Sequence, residues 1–188
     1  MIYIVSGLPR SGTSMLMKML EAGGIEILTD YRRTADVDNP KGYFEYEAIK
    51  KLAEDAEWIN HIEAKGIKVI SHLLPYLPRT QSYKVLFVLR PIEEVMLSQA
   101  RMLERTGDTA GLEDQDKLAR KFKDHLYTIR LWIAKQAHME CLFIKYRDII
   151  NAPQEYAEKI SAFIQVPCNI QAMADVVDSR LYRNKITS

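Results

Sequence analysis

Hydrophobic and polar residues fall in blocks whose period changes along the chain. Ile2-Tyr3-Ile4-Val5 is an unbroken apolar run, the pattern of a strand covered on both faces, and it stops at Ser6-Gly7. Gly12-Thr13-Ser14 then opens Met15-Leu16-Met17-Lys18-Met19-Leu20, which predicts a helix ending at Ala22-Gly23-Gly24. Ile25-Glu26-Ile27-Leu28 predicts a second, short strand. From Thr29 to Tyr43 the residues turn polar and irregular, with Asp30, Arg32, Pro40 and Gly42, so this stretch reads as a long surface loop of the kind that often carries function. Beyond it, Ile49, Leu52, Ala53 and Ala56 recur at helical spacing.

The second half repeats the alternation. Gly66 to His72 is a short strand-like run, and Pro75 and Pro78 forbid a long helix behind it. Tyr83-Lys84-Val85-Leu86-Phe87-Val88-Leu89 is the most strand-like segment of the chain and ends at Arg90-Pro91. Ile92, Val95, Met96, Met102 and Leu103 form the stripe of a helix with Pro91 at its first position. Leu118, Phe122, Leu126, Ile129 and Ile133 mark another, whose opposite face of Lys117, Arg120, Lys121, Lys123 and Asp124 reads as solvated. Cys141 to Tyr146 predicts a buried strand, and Pro153 starts a helix through Ile160 and Ile164.

Strands alternating with helices imply a parallel sheet covered on both faces. Its ligands belong at the carboxyl ends of the strands. The segment after the first strand sharpens this expectation. Gly7 and Gly12 frame a turn followed by Thr13-Ser14, the spacing of a phosphate-binding loop in which backbone N–H groups converge on one anion at a helix N-terminus. The expected fold class is therefore α/β, a three-layer P-loop NTPase-like fold with a central parallel sheet flanked by helices. Thr13 occupies the place where an NTPase needs lysine, and Arg10 is the one cation within the loop. A plainer reading of the same residues is an ordinary helix start capped by Ser11, Thr13 or Ser14.

Pro9-Arg10-Ser11-Gly12-Thr13-Ser14 resembles the first nucleotide signature of the sulfotransferase family, which holds the 5′-phosphosulfate of 3′-phosphoadenosine 5′-phosphosulfate (PAPS). The family's second signature, a strand followed by arginine and a serine eight residues later that hold the 3′-phosphate, is matched by Arg90 and Ser98, although proline follows the arginine directly. Arg90 also admits an ion pair with Glu93 or Glu94. Ser71-His72-Leu73 resembles the segment that supplies a lysine and the general-base histidine in cytosolic members. Here Ile70 stands in place of the lysine, and Lys68 is displaced by two. Asn39-Pro40-Lys41-Gly42-Tyr43-Phe44-Glu45 is similar to a stretch found in bacterial members, and Glu45 matches the glutamate used as base in other branches.

The resemblance implies a sulfotransferase moving a sulfuryl group from PAPS to a hydroxyl or amine, with 3′-phosphoadenosine 5′-phosphate (PAP) as product. It assigns catalysis to Glu45, His72, Arg10 and Lys68. Cofactor binding falls to Pro9, Arg10, Ser11, Gly12, Thr13, Ser14, Arg90 and Ser98, with Arg183 and Lys185 contributing from the basic C-terminal end. No metal is expected. The competing readings are a P-loop NTPase or small-molecule kinase, which would need the missing lysine and a Mg²⁺-holding aspartate, and a nucleotide-binding or protein-interaction module without turnover.

Composition sets the remaining bounds. A chain of 188 residues with 47% hydrophobic and 27% charged residues fits one domain over 1–188. A formal net charge of +1 gives no overall basic field, so no nucleic-acid partner is expected and any anion site must be local. Cys141 and Cys168 are well separated in apolar contexts and suggest neither a disulfide framework nor a metal cluster. With no signal-peptide pattern and no run long enough to span a bilayer, the chain is expected to be cytoplasmic and not inserted in a membrane.

Overall fold

The apolar runs form the sheet. In the computed structural model, which describes residues 1–30, 32, 42–107 and 115–182, the strands are β1 (Ile2–Gly7), β2 (Gly66–Lys68), β3 (Tyr83–Leu89) and β4 (Met139–Lys145). They lie in the order β2-β1-β3-β4, and every pairing is parallel. Alternate residues of the central strands face opposite layers, which is why these strands read as continuous apolar runs. Tyr3, Val5, Leu86 and Val88 join one core cluster, while Ile2, Ile4, Val85 and Phe87 join the other.

The first layer is built by α1 (Thr13–Ala22), α4 (Tyr146–Asn151), α5 (Pro153–Ile164) and α6 (Ile170–Asp175). The second contains α3 (Gln115–Ile133) and 3-10 turns at Glu47–Lys51, Glu57–His61 and Ser71–Tyr76. The remaining helix, α2 (Ile92–Thr106), packs Ile92 and Met96 against Leu8 and the Leu118–Phe122 side of α3. The fold is thus α/β, a parallel four-stranded sheet flanked by helices. The chain leaves β1 for β2 on one side and returns to β3 on the other, so a crevice opens between β1 and β3 at their carboxyl ends.

Three expectations change. Ile25–Leu28 is not a strand: Ile27 makes an isolated parallel bridge with Gly66, because β2 is only 3 residues long and offers little ladder to extend. The segment carrying Ile49 and Leu52 is not an α-helix but the 3-10 turn Glu47–Lys51, separated from the next turn at Asp55. There the Asp55 carboxylate accepts from the Glu57 backbone N–H at 3.1 Å, an Asx contact that competes with helix continuation. Ile49 and Leu52 are nonetheless buried in the second core cluster. Pro91 is the N-cap of α2 rather than its first residue, its carbonyl accepting from the N–H groups of Glu94 and Val95, each at 3.1 Å.

Candidate functional site

The loop after β1 is shaped by two glycines. Gly12 caps α1 in the left-handed region at φ 107°, and a Cβ there would lie 2.3 Å from the Tyr146 ring. At Gly7, with φ 151°, a Cβ would lie 2.6 Å from Ser11 Oγ and 2.8 Å from the Val88 carbonyl. Gly12 has no side chain to cap α1, and among the described residues no other side chain does so; its leading N–H groups, which have no intrahelical acceptor, are thus open to a ligand. The capping role conceivable for Ser11, Thr13 or Ser14 is therefore not taken up. Arg10, also left-handed at φ 67°, holds a conformation that costs a non-glycine residue about 1–2 kcal/mol.

Above this helix start lies a cavity of about 570 Å³, within the range of small-molecule sites. Pro9, Arg10, Gly12, Thr13 and Ser14 line it, as do Glu45, Lys68, Arg90 and Ser98. Ser11 does not: it is buried beside Gly7 with its Oγ unpartnered. Among the described residues the lining carries the cations Arg10, Lys50, Lys68, Arg90, Arg101 and Arg105 and the carboxylates Glu45 and Asp178, while Lys50 and Arg90 also pair with Glu47 and Glu94 outside it; the lining has a local positive excess on a chain that is nearly neutral overall.

The two segments that resemble nucleotide signatures meet in this cavity. Arg10 Nε donates to Ser98 Oγ at 3.1 Å, and Arg90 Nη1 donates to the Arg10 carbonyl at 3.0 Å. The ion pair considered for Arg90 also forms, with its Nε 3.1 Å from Glu94 Oε2. Lys68, the last residue of β2, sends its Nζ to Ser14 Oγ at 3.2 Å and to the Tyr43 carbonyl at 2.9 Å. An ammonium from the neighbouring strand thus stands beside the start of α1, where the loop itself supplies none. Its displacement by two residues leaves it on the same face of an extended segment.

Glu45 follows Phe44, which adopts φ 52° and is buried in the core while Tyr43 and Glu45 line the cavity. The Glu45 carbonyl accepts from Thr29 Oγ1 at 2.9 Å and from the Asp30 N–H at 3.2 Å, which fixes this stretch against the end of the first βα unit. His72 is placed differently from expectation: it is exposed and does not line the cavity. The chain enters the 3-10 turn Ser71–Tyr76 there, and with three residues per turn Ile70 and Leu73 share the cavity face while His72 is rotated off it. Ser71 instead approaches His125, Oγ to Nε2 at 2.8 Å, and burial followed by the charge of His72 pushes the His125 pKa down. Arg183 and Lys185 lie outside the described residues.

Sequence reasoning did not single out Tyr146, Arg147 and Tyr182. Arg90 lies with its guanidinium carbon 4.8 Å from the Tyr146 ring centre and 5.4 Å from that of Tyr182. Glu94, fully buried, also accepts from Arg147 Nη2 at 2.8 Å and from Tyr182 Oη at 2.7 Å. Burial would raise its pKa, but the hydrogen bonds from Tyr182, Arg147 and Arg90 and the Arg90 charge outweigh it and hold the carboxyl below its ordinary value. The i,i+4 spacing of Arg90 and Glu94 was a visible signal for one edge of this cluster. Its other members come from distant segments that no periodicity connects.

Fold and site define an α/β protein with a parallel sheet and a glycine-framed loop at the start of α1, beside which Lys68 of the neighbouring strand stands. The chain belongs to the sulfotransferase family: the sequence model of the sulfotransferase domain matches residues 3–185. Among solved structures, it is similar to mouse sulfotransferase SULT7A1 complexed with PAP, at 19% identity and TM-score 0.58 over 94% of this chain and 62% of that one. It is also similar to retinol dehydratase in complex with androsterone and the inactive cofactor PAP, at 14% identity and TM-score 0.57 over 97% and 66%. A third is the sulfotransferase domain from the curacin biosynthetic pathway, at 16% identity and TM-score 0.53 over 100% and 78%. At these identities the likenesses establish the fold, and the chain spans less than two thirds of the length of the first and second of these proteins. No curated protein matches in sequence. No helix among the described residues is long and apolar enough to cross a membrane.

Proposed function

We propose that the protein is a PAPS-dependent sulfotransferase that moves a sulfuryl group to a hydroxyl or amine acceptor and releases PAP. The observation that supports this reading is the 3.1 Å contact between Arg10 and Ser98, which brings the two segments that resemble nucleotide signatures together in one cavity at the start of α1. PAPS supplies an activated sulfuryl group. The chain's residues bind and orient it. The N–H groups at Gly12, Thr13 and Ser14 take the 5′ end, and Ser98 with Arg90 takes the 3′-phosphate. Arg10 and Lys68 face the reacting centre and stabilise negative charge that develops on the bridging oxygen. Glu45, lining the same cavity, accepts the acceptor's proton. His72, exposed and outside the lining, is set aside as base in this reading. The match of the family model and the two PAP-complexed structures support the choice of nucleotide.

The test is ligand-dependent stability. PAP or PAPS at a hundred times its dissociation constant should add about 2.7 kcal/mol, read as a raised melting temperature, and ATP·Mg should add much less. Equal or greater stabilisation by ATP·Mg, with hydrolysis, would replace this reading with an NTPase. A radiolabel transfer screen over alcohols, phenols and amines then identifies the acceptor class.

A further inference from the structure

Behind the cavity wall sits a carboxylate that does not line it. Glu94, in the first turn of α2, is fully buried and receives, among the described residues, Arg90 from the end of β3, Arg147 from α4, and Tyr182 from the C-terminal segment. Arg147 Nε also donates to Tyr182 Oη at 2.9 Å, closing a ring of contacts around the carboxylate. Buried ion pairs stabilise poorly compared with apolar packing of equal volume, so stability is a weak account of this cluster.

Orientation is a stronger one. With its Nε on Glu94 and the rings of Tyr146 and Tyr182 beside its guanidinium, Arg90 has little freedom left. In that one pose its Nη1 meets the carbonyl of Arg10, at the residue held in the left-handed region. Arg10 in turn reaches Ser98. We propose that Glu94 is a positioning residue which, through Arg90, fixes the Arg10 backbone and so aims Arg10 and Ser98 at the nucleotide, while the same carboxylate seats the C-terminal segment through Tyr182. That segment contributes Val176, Asp178 and Leu181 to the cavity wall. The inference rests on the PAP and PAPS site proposed above.

A purely structural ion pair would lower the melting temperature of a variant and leave binding normal below it. The experiment measures calorimetric affinity for PAP and for adenosine 5′-monophosphate, which lacks the 3′-phosphate, on the full chain, well below each variant's melting temperature. Glu94→Gln keeps the shape and removes the charge; it should weaken PAP on the order of ten- to a hundredfold. In an Arg90→Ala background the same substitution should cost far less, because the path runs through Arg90. Tyr182→Phe should lose about fivefold, since it removes one neutral donor and leaves the carboxylate. Should Glu94→Gln not fold, Tyr182→Phe alone and in the Arg90→Ala background carries the same comparison. Unchanged PAP affinity in the folded variant, or losses that multiply independently of Arg90, overturns the inference alone. A wild-type protein that does not bind PAP overturns the proposed function and this inference with it.

Discussion

Gly12→Ala probes the cradle at its tightest point, and the structure supplies its own control. Gly12 and Gly24 have similar positive φ angles, 107° and 98°, so an alanine at either position meets comparable backbone strain, about 1–2 kcal/mol. Their surroundings differ completely. A Cβ at Gly24 has nothing within 4 Å, whereas at Gly12 it would stand 2.3 and 2.6 Å from two carbons of the Tyr146 ring. Tyr146 is buried against the first core cluster and beside Arg90, so the ring cannot swing out cheaply. Overpacking of this kind adds about 1–3 kcal/mol. Gly24→Ala should therefore cost about 1–2 kcal/mol and Gly12→Ala about 2–5, against a total stability of about 5–15.

Urea denaturation of the two variants reads this difference directly. Calorimetry should show that Gly12→Ala loses PAP affinity and Gly24→Ala retains it. Gly12→Ala/Tyr146→Ala separates the two contributions, because removing the ring relieves the clash and leaves only the φ strain. Equal destabilisation by Gly12→Ala and Gly24→Ala would refute the close approach of Tyr146 to the loop, and with it the account of why this loop requires glycine there.

Three further outcomes follow from the site. Glu45→Gln should reduce kcat on the order of 10²–10⁴-fold with PAP affinity intact, while His72→Ala, outside the cavity, should retain near-full turnover; stopped-flow or quench assays under chemistry-limited conditions decide between them. Ser98→Ala should weaken PAP about fivefold and leave adenosine 5′-monophosphate nearly unchanged, by calorimetry; equal losses on both ligands would remove Ser98 from the 3′-phosphate site. Glu94 titrates below its ordinary value of 4.5 in the folded chain, so its network contributes stability at neutral pH that is lost as pH falls from about 4.5 through the lower folded value. Urea midpoints from pH 7 to pH 3 should fall more steeply for the wild type than for Glu94→Gln.

How much of this was legible in the sequence depended on whether the signal was periodic or merely spatial. Tyr83 to Leu89 and Ile2 to Val5 read correctly because both faces of each strand are covered, and a run with no polar face has few other uses. Ile25 to Leu28 is mostly apolar too, apart from Glu26, but had only Gly66 of a short neighbour to pair with, and pairing is a property of the partner. Asp55 ended the helical pattern after Leu52 through a side-chain contact to Glu57 that spacing of apolar residues does not register. In the site, the two residues of the loosely matched Lys68 to His72 segment parted for a reason written in the backbone period. Lys68 lies on a strand, where a shift of two residues restores the face, so its loose registration left it at the start of α1. His72 lies two residues past Ile70 in a 3-10 turn, where the face repeats every three residues, so it turned away while Leu73 took its place. The cluster around Glu94 is the opposite case: Arg147 and Tyr182 arrive from 53 and 88 residues away, and what makes them partners is one buried carboxylate that had to be satisfied where α2 begins.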